Sequence, residues 1–383
     1  MSGLKLDSLR IQNFRTFEDL TIDRLGRVNL IVGKNNVGKT ALLEALWIWA
    51  HDEYWDDLTD KLVKVGSGDE RPSSELLEER YEAIRHLIHG RPPSESWGDL
   101  RSDIQKPEQA HIYLGPSCQE SDGNGVHLHV FARVGARINH FRLEAARWDP
   151  EEEVYARVAE LALESVGRST SGKNLQPVEA VFVSSTSLSE KEQKELWSDA
   201  VRAGQKSKVL RMLRSIDERI KDVDSIQQPL LRGRPLGRSV QIGGAPLESR
   251  RFVVTREDSS IPVPLDSLGE GVGRAMAIGL GVVGGKDGLT LIDEIENGIH
   301  YSTQPKLWRM IFETARELNT QVFATTHSYD CVQAFEEVAQ GYARSESMLV
   351  SLRRREENPE DVVAVLSDRN ELGAVVEENV EVR

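Results

Sequence analysis

A glycine loop between an apolar run and a helix constrains the fold of this chain more than any other feature. Residues 33–40 read GKNNVGKT, which satisfies the pattern G-x-x-x-x-G-K-[ST]. The preceding run, VNLIV (28–32), is short and continuously apolar, which is typical of a strand buried on both faces. A helix is predicted from Thr40, with Leu42, Leu46 and Trp49 along one apolar stripe. In this context the loop's backbone N–H groups turn inward around phosphate oxygens, and the helix dipole favours the anion.

The side chains of the loop predict a nucleoside triphosphate site that also holds Mg²⁺. We expect Lys39 to reach the β- and γ-phosphates and the Thr40 hydroxyl to ligate the ion. The other predicted binding residues are Gly33, Asn35, Asn36, Val37, Gly38 and Ala41. An ordinary strand–turn–helix with a chance lysine is the alternative, and the strand-and-helix context favours the phosphate site.

Two later strands are predicted to supply the remaining chemistry. LTLIDE (289–294) is an apolar strand ending in two acids: Asp293 is expected to hold Mg²⁺ through its water shell, and Glu294 to orient or deprotonate the attacking water. QVFATTH (321–327) places His327 at the same sheet edge, where it can contact a γ-phosphate. Two solvated carboxylates and a structural histidine are the alternatives. Glu294, His327 and Lys39 are therefore the catalytic candidates.

The order of elements predicts an α/β fold of the P-loop NTPase class. Apolar strands separated by helices indicate a mixed sheet with a parallel core and flanking helices, plus a helical insertion lobe. The 383 residues exceed what one compact core usually serves. We assign 1–50 and 251–350 to the ATPase core, 51–180 to an insertion and β-lobe, 181–250 to a helical arm with basic loops, and 351–383 to a closing segment. Within 51–180, we expect the charged insertion at 51–108 and a helix at 151–166.

Composition restricts the location and the partners. The chain is 39% hydrophobic and 29% charged, with no apolar run long enough to cross a bilayer and no signal-peptide core at its N-terminus. Two cysteines make no disulfide framework, so a cytoplasmic location without membrane contact is expected. The net charge of −14 requires any nucleic-acid contact to come from a local basic face.

The combined motifs resemble the ATPase heads of the ABC type. Within that class, L-x-I-x-N-F-R-x-F (Leu9 to Phe17), DEIENGIH (293–300) and ATTHS (324–328) look like the SMC, RecF and OLD branch rather than a transporter. The resemblance covers about 1–50 and 265–335, and the middle of the chain only by topology. It implies ATP with Mg²⁺ as the cofactor and a homodimer that encloses two ATP molecules between its heads.

In that dimer, each site would be completed by the partner's signature loop, here LGEGV (268–272). Gly269 replaces the usual serine, while Gly271 and the helix that follows would offer N–H groups to the partner's γ-phosphate. Arg274 would serve the same phosphate or only pack. Arg15 matches an arginine that closes over the nucleotide, with an ordinary surface arginine as the alternative. Glu296 and Asn297 fall at the D-loop position, and the Q-loop glutamine is unassigned among Gln105, Gln109 and Gln119.

The resemblance leaves open what the ATPase drives. Ser189 with Glu192 forms a capping box that predicts the start of a helical arm, and a second helix is predicted at roughly 206–221 from the spacing of its apolar residues. This arm, 189–222, is too short for an SMC coiled coil. The basic stretch 202–238 holds seven Lys/Arg against two acids in 202–221, followed by Arg232, Arg234 and Arg238, and it is either a DNA-backbone track or a solvated face. Single-chain OLD nucleases continue into a TOPRIM domain, whereas this sequence ends soon after ATTHS. We expect a separate nuclease or effector, as in anti-phage defence; the alternative is a stand-alone RecF-like repair clamp.

Overall fold

The computed structural model describes residues 4–50, 110–116, 125–134, 137–146, 178–228 and 249–377. Within these ranges the strands are β1 (Leu9–Phe14), β2 (Phe17–Ile22), β3 (Val28–Gly33), β4 (Ala110–Pro116), β5 (Gly125–Val134), β6 (Arg137–Ala146), β7 (Ala180–Val183), β8 (Ile220–Gln228), β9 (Ser249–Arg256), β10 (Ser259–Pro264), β11 (Leu289–Ile292), β12 (Gln321–Thr325), β13 (Ser347–Arg354) and β14 (Val362–Ser367). The helices are α1 (Lys39–Ala50), α2 (Glu190–Arg202), α3 (Lys206–Ile216), α4 (Glu270–Gly284), α5 (Gln304–Leu318), α6 (Tyr329–Ala339) and α7 (Arg369–Glu377).

The central sheet has the mixed character that the sequence predicts. Its strand order is β14-β13-β3-β12-β11-β7, and every neighbouring pair is parallel except β13 with β14. The parallel strands β3, β11 and β12 are buried along their whole length. Because helices cover both faces of a parallel sheet, such strands read as continuous apolar runs rather than as alternating ones.

Side chains on the two faces of the central sheet belong to two different hydrophobic cores. Leu289, Leu291 and Phe323 belong to the core around α1, whereas Val322 and Ala324 belong to the core beneath the later helices. Successive side chains of a strand point to opposite faces, so one sheet serves both cores. The predicted flanking helices are thus confirmed on the two sides of the sheet.

Helix α1 is buried on more than one side. Its predicted stripe, represented by Leu42, Leu46 and Trp49, is buried, but Leu43 and Trp47 are buried as well. The same core includes side chains from β1, β2, the glycine loop and the central sheet. Strands β1 and β2 belong to another sheet, of order β2-β1-β4-β5-β6, in which β1 and β4 are parallel. Helix α1 therefore lies between this sheet and the central sheet.

The segment expected as a projecting arm contributes to the second core. A capping box at Ser189 and Glu192 starts α2, as the sequence predicts. Trp197 on α2 and Met212 on α3 are buried in the core that α4 and α5 share. At Gly279 of α4, an added Cβ would lie 3.1 Å from Met212 side-chain atoms, so the helices approach closely.

The prediction of a helix over 206–221 is wrong at its end. Helix α3 stops at Ile216, Asp217 is extended (φ −133°), and β8 begins at Ile220. Ile216 and Ile220 are four residues apart, which matches a helical spacing. Ile220 and Val223 are nevertheless buried as residues of strand β8. Strand β8 pairs with β9 in the sheet β10-β9-β8, and this tertiary pairing overrides the helical period.

Residues 351–377 contain the end of β13, the strand β14 and the helix α7. Strand β14 forms the antiparallel edge beside β13, and α7 packs against α6. The predicted insertion at 51–108 and the predicted helix at 151–166 lie outside the described residues. Among the helices of the described ranges, none combines the length and the apolar character that a bilayer span requires.

Candidate functional site

The glycine loop connects β3 directly to α1, as the sequence predicts. Gly33 has φ +148° and Gly38 has φ +109°, values that L-residues rarely adopt. An added Cβ at Gly33 would lie 2.5 Å from the Leu352 carbonyl oxygen, and one at Gly38 would lie 2.4 Å from Thr16 Cγ2. Both glycines are therefore required by backbone conformation and by close packing.

Lys39 is folded back into the loop. Its Nζ donates to the carbonyl oxygen of Gly33 at 2.6 Å and to that of Lys34 at 3.0 Å, and the residue is only 5% exposed. Burial lowers the pKa of Lys39, while the carboxylates of Asp293, Glu294 and Glu296 act in the opposite direction. The Lys39 ammonium thus lies inside the loop, where backbone carbonyl oxygens accept its hydrogen bonds.

The acids that follow β11 lie beside the first turn of α1. The Thr40 hydroxyl donates to Asp293, at 3.3 Å from Oδ1 and 3.2 Å from Oδ2. Two hard oxygen ligands, a hydroxyl and a carboxylate, are therefore adjacent, and oxygen donors are the ligands that Mg²⁺ prefers. Within the described residues no cluster of three or more acidic, histidine or cysteine ligands exists. Thr40 and Asp293 fit an ion whose other ligands are phosphate oxygens and water.

Glu294 and His327 face the same cleft as the loop. The His327 Nε2 lies 3.4 Å from Glu294 Oε1, and Asn297 Nδ2 donates to Glu294 Oε2 at 2.7 Å. Both ring and carboxylate are about one-third exposed. The cleft has a volume of about 440 Å³ and is lined by Asn35, Asn36, Gly38, Lys39, Thr40, Ala41, Glu294 and His327. The structure thus brings together residues from three separate parts of the sequence.

Parallel pairing explains this convergence. Strand β12 pairs with β3 on one side and with β11 on the other, with Ala324 opposite both Leu30 and Ile292. The residues that follow the three strands are therefore carried to one edge of the sheet, where ligands bind in open α/β folds. A second cleft of about 700 Å³ between α5 and α6 contains none of the motif residues.

The signature residues lie away from the cleft lining. Gly269 (φ +94°) precedes α4, and an added Cβ there would meet nothing within 4 Å. Gly271 packs so closely on the turn after Glu294 that an added Cβ would lie 2.7 Å from the Gly298 carbonyl oxygen. The Ser267 hydroxyl donates to the Pro264 carbonyl at 2.6 Å. Within one chain, the signature loop therefore packs against Gly298, next to the predicted D-loop position.

Arg274 packs inside its own chain, as the second of the two roles left open for it requires. The residue is 5% exposed, and its guanidinium donates to the backbone carbonyls of Ser184, Asp293 and Glu294, the last at 3.1 Å. A guanidinium offers several donors in a fixed plane and therefore suits such a set of carbonyls. The Arg274 guanidinium therefore lies next to the C-terminal ends of β7 and β11.

Arg15 lies in the turn between β1 and β2, with φ +49°. Its Nε is 2.8 Å from Oε2 of Glu44, and its Nη2 donates to Oε1 of Glu44 at 3.1 Å. The neighbouring Thr16 packs against Gly38 of the glycine loop. Arg15 is thus carried next to the loop, where its guanidinium pairs with a carboxylate on α1.

Sequence reasoning missed two residues that shape this site and did not foresee the contact of a third. The missed residues are Glu44, which pairs with Arg15, and Thr325, whose hydroxyl contacts Asp293. Asn297, expected at the D-loop position, binds the Glu294 carboxylate. Thr325 was visible as the first threonine of ATTHS, at the end of a buried strand. The partners of the other two emerge only from tertiary packing.

The basic stretch 202–238 is partly described, and its described cations are largely compensated. Arg211 and Lys208 both form ion pairs with Glu317 on α5. Arg214 donates to two backbone carbonyls of the following strand. In the described residues 202–228 these contacts favour a solvated, charge-paired face over a DNA-backbone track. Several predicted residues lie outside the described ranges, namely Gln105, Gln109, Gln119, Arg232, Arg234 and Arg238.

Comparison with known families gives two matches on different parts of the chain. Residues 4–87 match the family described as "AAA ATPase domain". Residues 156–330 match the family described as "AAA domain, putative AbiEii toxin, Type IV TA system". Both descriptions name an ATPase-type domain.

Similar proteins include a nuclease and a repair protein. The OLD nuclease of Thermus scotoductus is 26% identical over 342 residues, which cover 84% of this chain and 59% of that protein. The DNA replication and repair protein RecF of Lactococcus lactis subsp. cremoris is 33% identical over 81 residues, 21% of this chain and 23% of RecF. The chain therefore spans less than two thirds of the length of either relative.

Solved structures with a similar chain path include two SMC heads. The Smc head domain of Pyrococcus furiosus with an extended coiled coil, bound to the C-terminal domain of ScpA, aligns over 98% of this chain and 99% of its own, with a TM-score of 0.47 and 10% identity. The SMC head domain from Thermotoga maritima aligns over 95% and 99%, with a TM-score of 0.41 and 12% identity.

A glycine loop after a parallel strand, with an acid-capped strand two positions along the sheet, defines the P-loop NTPase class. The mixed strand pairing, the histidine that follows β12 and the matches to two AAA families agree with an ATPase of this class. The chain is similar in sequence to an OLD nuclease and, over a shorter stretch, to RecF.

Proposed function

We propose that the chain binds ATP with Mg²⁺ in the cleft formed by the glycine loop and the ends of β11 and β12, and hydrolyses it there. One observation carries this proposal: Lys39, Thr40, Glu294 and His327 line one cleft, with Asp293 hydrogen-bonded to Thr40 behind it. Chance juxtaposition of these groups would not also place a helix N-terminus behind the loop.

The loop supplies the phosphate-binding groups. Its backbone N–H groups and the start of α1 favour an anion. The Lys39 ammonium, now bonded to two loop carbonyls, is the cation expected to bind the β- and γ-phosphates. Mg²⁺, when bound, neutralises charge that develops on the phosphate oxygens. Thr40 and Asp293 are the residues that would hold it.

Glu294 is the proposed base. Its carboxylate is oriented from two sides, by the Asn297 amide and by the His327 ring, and it opens onto the cleft. A carboxylate in that position can align a water molecule and accept its proton during attack on the terminal phosphate. The His327 imidazole lies on the same wall and is expected to contact that phosphate.

A second copy of the chain is expected to complete each site. Gly269 and Gly271 begin α4 but do not line the cleft of their own chain. A helix N-terminus with two glycines can donate N–H groups to an anion on another molecule. We therefore infer a homodimer that encloses two ATP molecules. ATP binding would bring the heads together, and hydrolysis would release them.

The ATPase cycle is proposed to drive a DNA-associated effector, with a separately encoded nuclease as the partner in anti-phage defence. The similarity to an OLD nuclease over 84% of this chain supports this proposal. A stand-alone RecF-like repair clamp is the alternative, supported by the shorter RecF similarity. A stoichiometric nuclease on co-purification favours the first function, whereas tight ATP-dependent DNA binding by the purified chain favours the second.

The direct test compares ATP turnover and size for the wild type and Glu294→Gln. We expect the variant to bind ATP, to lose roughly a hundredfold or more in turnover, and to elute as a dimer with ATP, because the base is lost while the binding groups remain. Glu356→Gln, at an exposed position between β13 and β14, is the matched control. Turnover by Glu294→Gln at the wild-type rate would remove Glu294 from this role.

A further inference from the structure

Thr325 occupies a position between the two acids of the candidate site. It is the last residue of β12, and its side chain is fully buried. Its hydroxyl donates to Asp293 Oδ1 at 2.6 Å and accepts the backbone N–H of Glu294 at 2.8 Å. The Thr325 hydroxyl therefore contacts the side chain of Asp293, the proposed metal ligand, and the backbone of Glu294, the proposed base.

The Glu294 backbone needs such support. Glu294 has φ +49°, in the left-handed region that non-glycine residues adopt at a cost in free energy. Thr325 holds the N–H side of this residue. Arg274 holds the carbonyl side, through the carbonyls of Asp293 and Glu294. The direction in which the Glu294 side chain leaves the strand is thus set by hydrogen bonds from two other elements.

We propose that Thr325 is a positioning residue for ATP hydrolysis, which orients the Asp293 carboxylate and the Glu294 turn toward the cleft. The inference rests on the proposed function of the cleft. Thr325 itself does not line the cleft, so it acts through Asp293 and Glu294. A Thr325 that only filled the core would affect folding stability without a selective effect on turnover.

Isosteric substitution separates these two roles. Thr325→Val keeps the shape and the branched Cβ but removes the hydroxyl, whereas Thr325→Ser keeps the hydroxyl. Thr320→Val is the matched control, because Thr320 is also fully buried and its hydroxyl donates to the Val282 carbonyl at 3.1 Å. Thr320 stands just before β12, at the opposite end of the strand from the site.

The first measurement is steady-state ATP hydrolysis, with thermal unfolding measured alongside. We expect Thr325→Val to lower kcat about ten- to hundredfold with KM for ATP changed by less than about threefold, since misdirected acids affect the chemical step more than nucleotide binding. Thr325→Ser and Thr320→Val should stay within about threefold of the wild-type kcat. Equal losses of kcat in Thr325→Val and Thr320→Val, or no rescue by serine, would overturn the proposal.

The second measurement does not depend on activity. In nucleotide-free protein, amide hydrogen exchange of a peptide containing Glu294 should be faster in Thr325→Val than in Thr320→Val or Thr325→Ser, because the N–H loses its acceptor. Unchanged exchange would contradict the proposed support of the turn. Wild-type protein without ATP turnover would instead refute the proposed function, and the exchange result would still report on the hydrogen bond.

Discussion

Glu44 provides a prediction whose magnitude follows from its surroundings. Its side chain on α1 is 19% exposed and lies 2.8 Å from Arg15. Burial raises the pKa of Glu44 from its ordinary 4.5 to about 7; Arg15 opposes the increase, and Asp293 adds to it. The folded state therefore binds this proton more tightly than the unfolded chain does.

The sign of the pH effect follows from that difference. Because the pKa is higher in the folded state, ionisation of Glu44 reduces stability as the pH rises from 4.5 through about 7. Full ionisation costs ~3 kcal/mol, from about 1.4 kcal/mol per tenfold change in proton affinity. Between pH 5.5 and 8.5, ~2 kcal/mol of that cost develops.

The assay is urea unfolding of the wild type and Glu44→Gln at several pH values without nucleotide. Glutamine keeps the size of the side chain and removes its titration, so the variant should gain ~2 kcal/mol relative to the wild type between pH 5.5 and 8.5. The effect of Arg15 is already contained in the pKa of about 7, so only the difference in packing and hydrogen bonding between glutamine and the protonated carboxyl adds an offset that does not vary with pH. Glu356→Gln serves as the exposed control. A stability difference that is constant with pH would refute the reasoning.

Three other predictions follow from the site and from its surroundings. Lys39→Ala should abolish measurable ATP binding in titration calorimetry, because the loop loses the ammonium that lies between its carbonyls; unchanged affinity would place the nucleotide elsewhere. Gly38→Ala should lower the free energy of unfolding by about 1–3 kcal/mol, since φ is +109° and the new Cβ would clash with Thr16; thermal unfolding of the wild type and the variant tests this. Arg211→Glu should change stability by only about 1 kcal/mol and leave DNA affinity and its salt dependence unchanged, because Arg211 is paired with Glu317 at the surface. Weaker DNA binding in a filter or anisotropy assay would favour the DNA-backbone track.

Features encoded by neighbouring residues could be predicted from the sequence. The apolar runs predict β3, β11 and β12 to within a few residues. The loop between β3 and α1 follows from glycine spacing, and the start of α2 follows from a capping box. Each of these signals depends on residues within one turn or one strand, so tertiary context does not alter it.

Features that depend on distant pairing could not be predicted. Residues 206–221 have a helical apolar period, yet Ile220 belongs to β8 because β9, some 30 positions later, offers strand partners. The two roles left open for Arg274 illustrate the same limit. An arginine at the fifth position of α4 fits both a phosphate and a packing role. Its packing within the chain depends on three carbonyls that follow β7 and β11, which the local sequence does not reveal.

The turn at Glu294 shows that a sequence motif alone does not define a functional site. The letters Asp293-Glu294 at the end of an apolar run are common, and alone they describe two solvated acids. Here the chain leaves β11 through a left-handed residue, and the donors and acceptors that hold this turn come from positions 20 and 31 residues away. Because this turn is held by α4 and β12, its direction depends on the packing of both elements. The helix that follows the signature loop and the proposed base are thus linked by the hydrogen bonds of Arg274 within one chain.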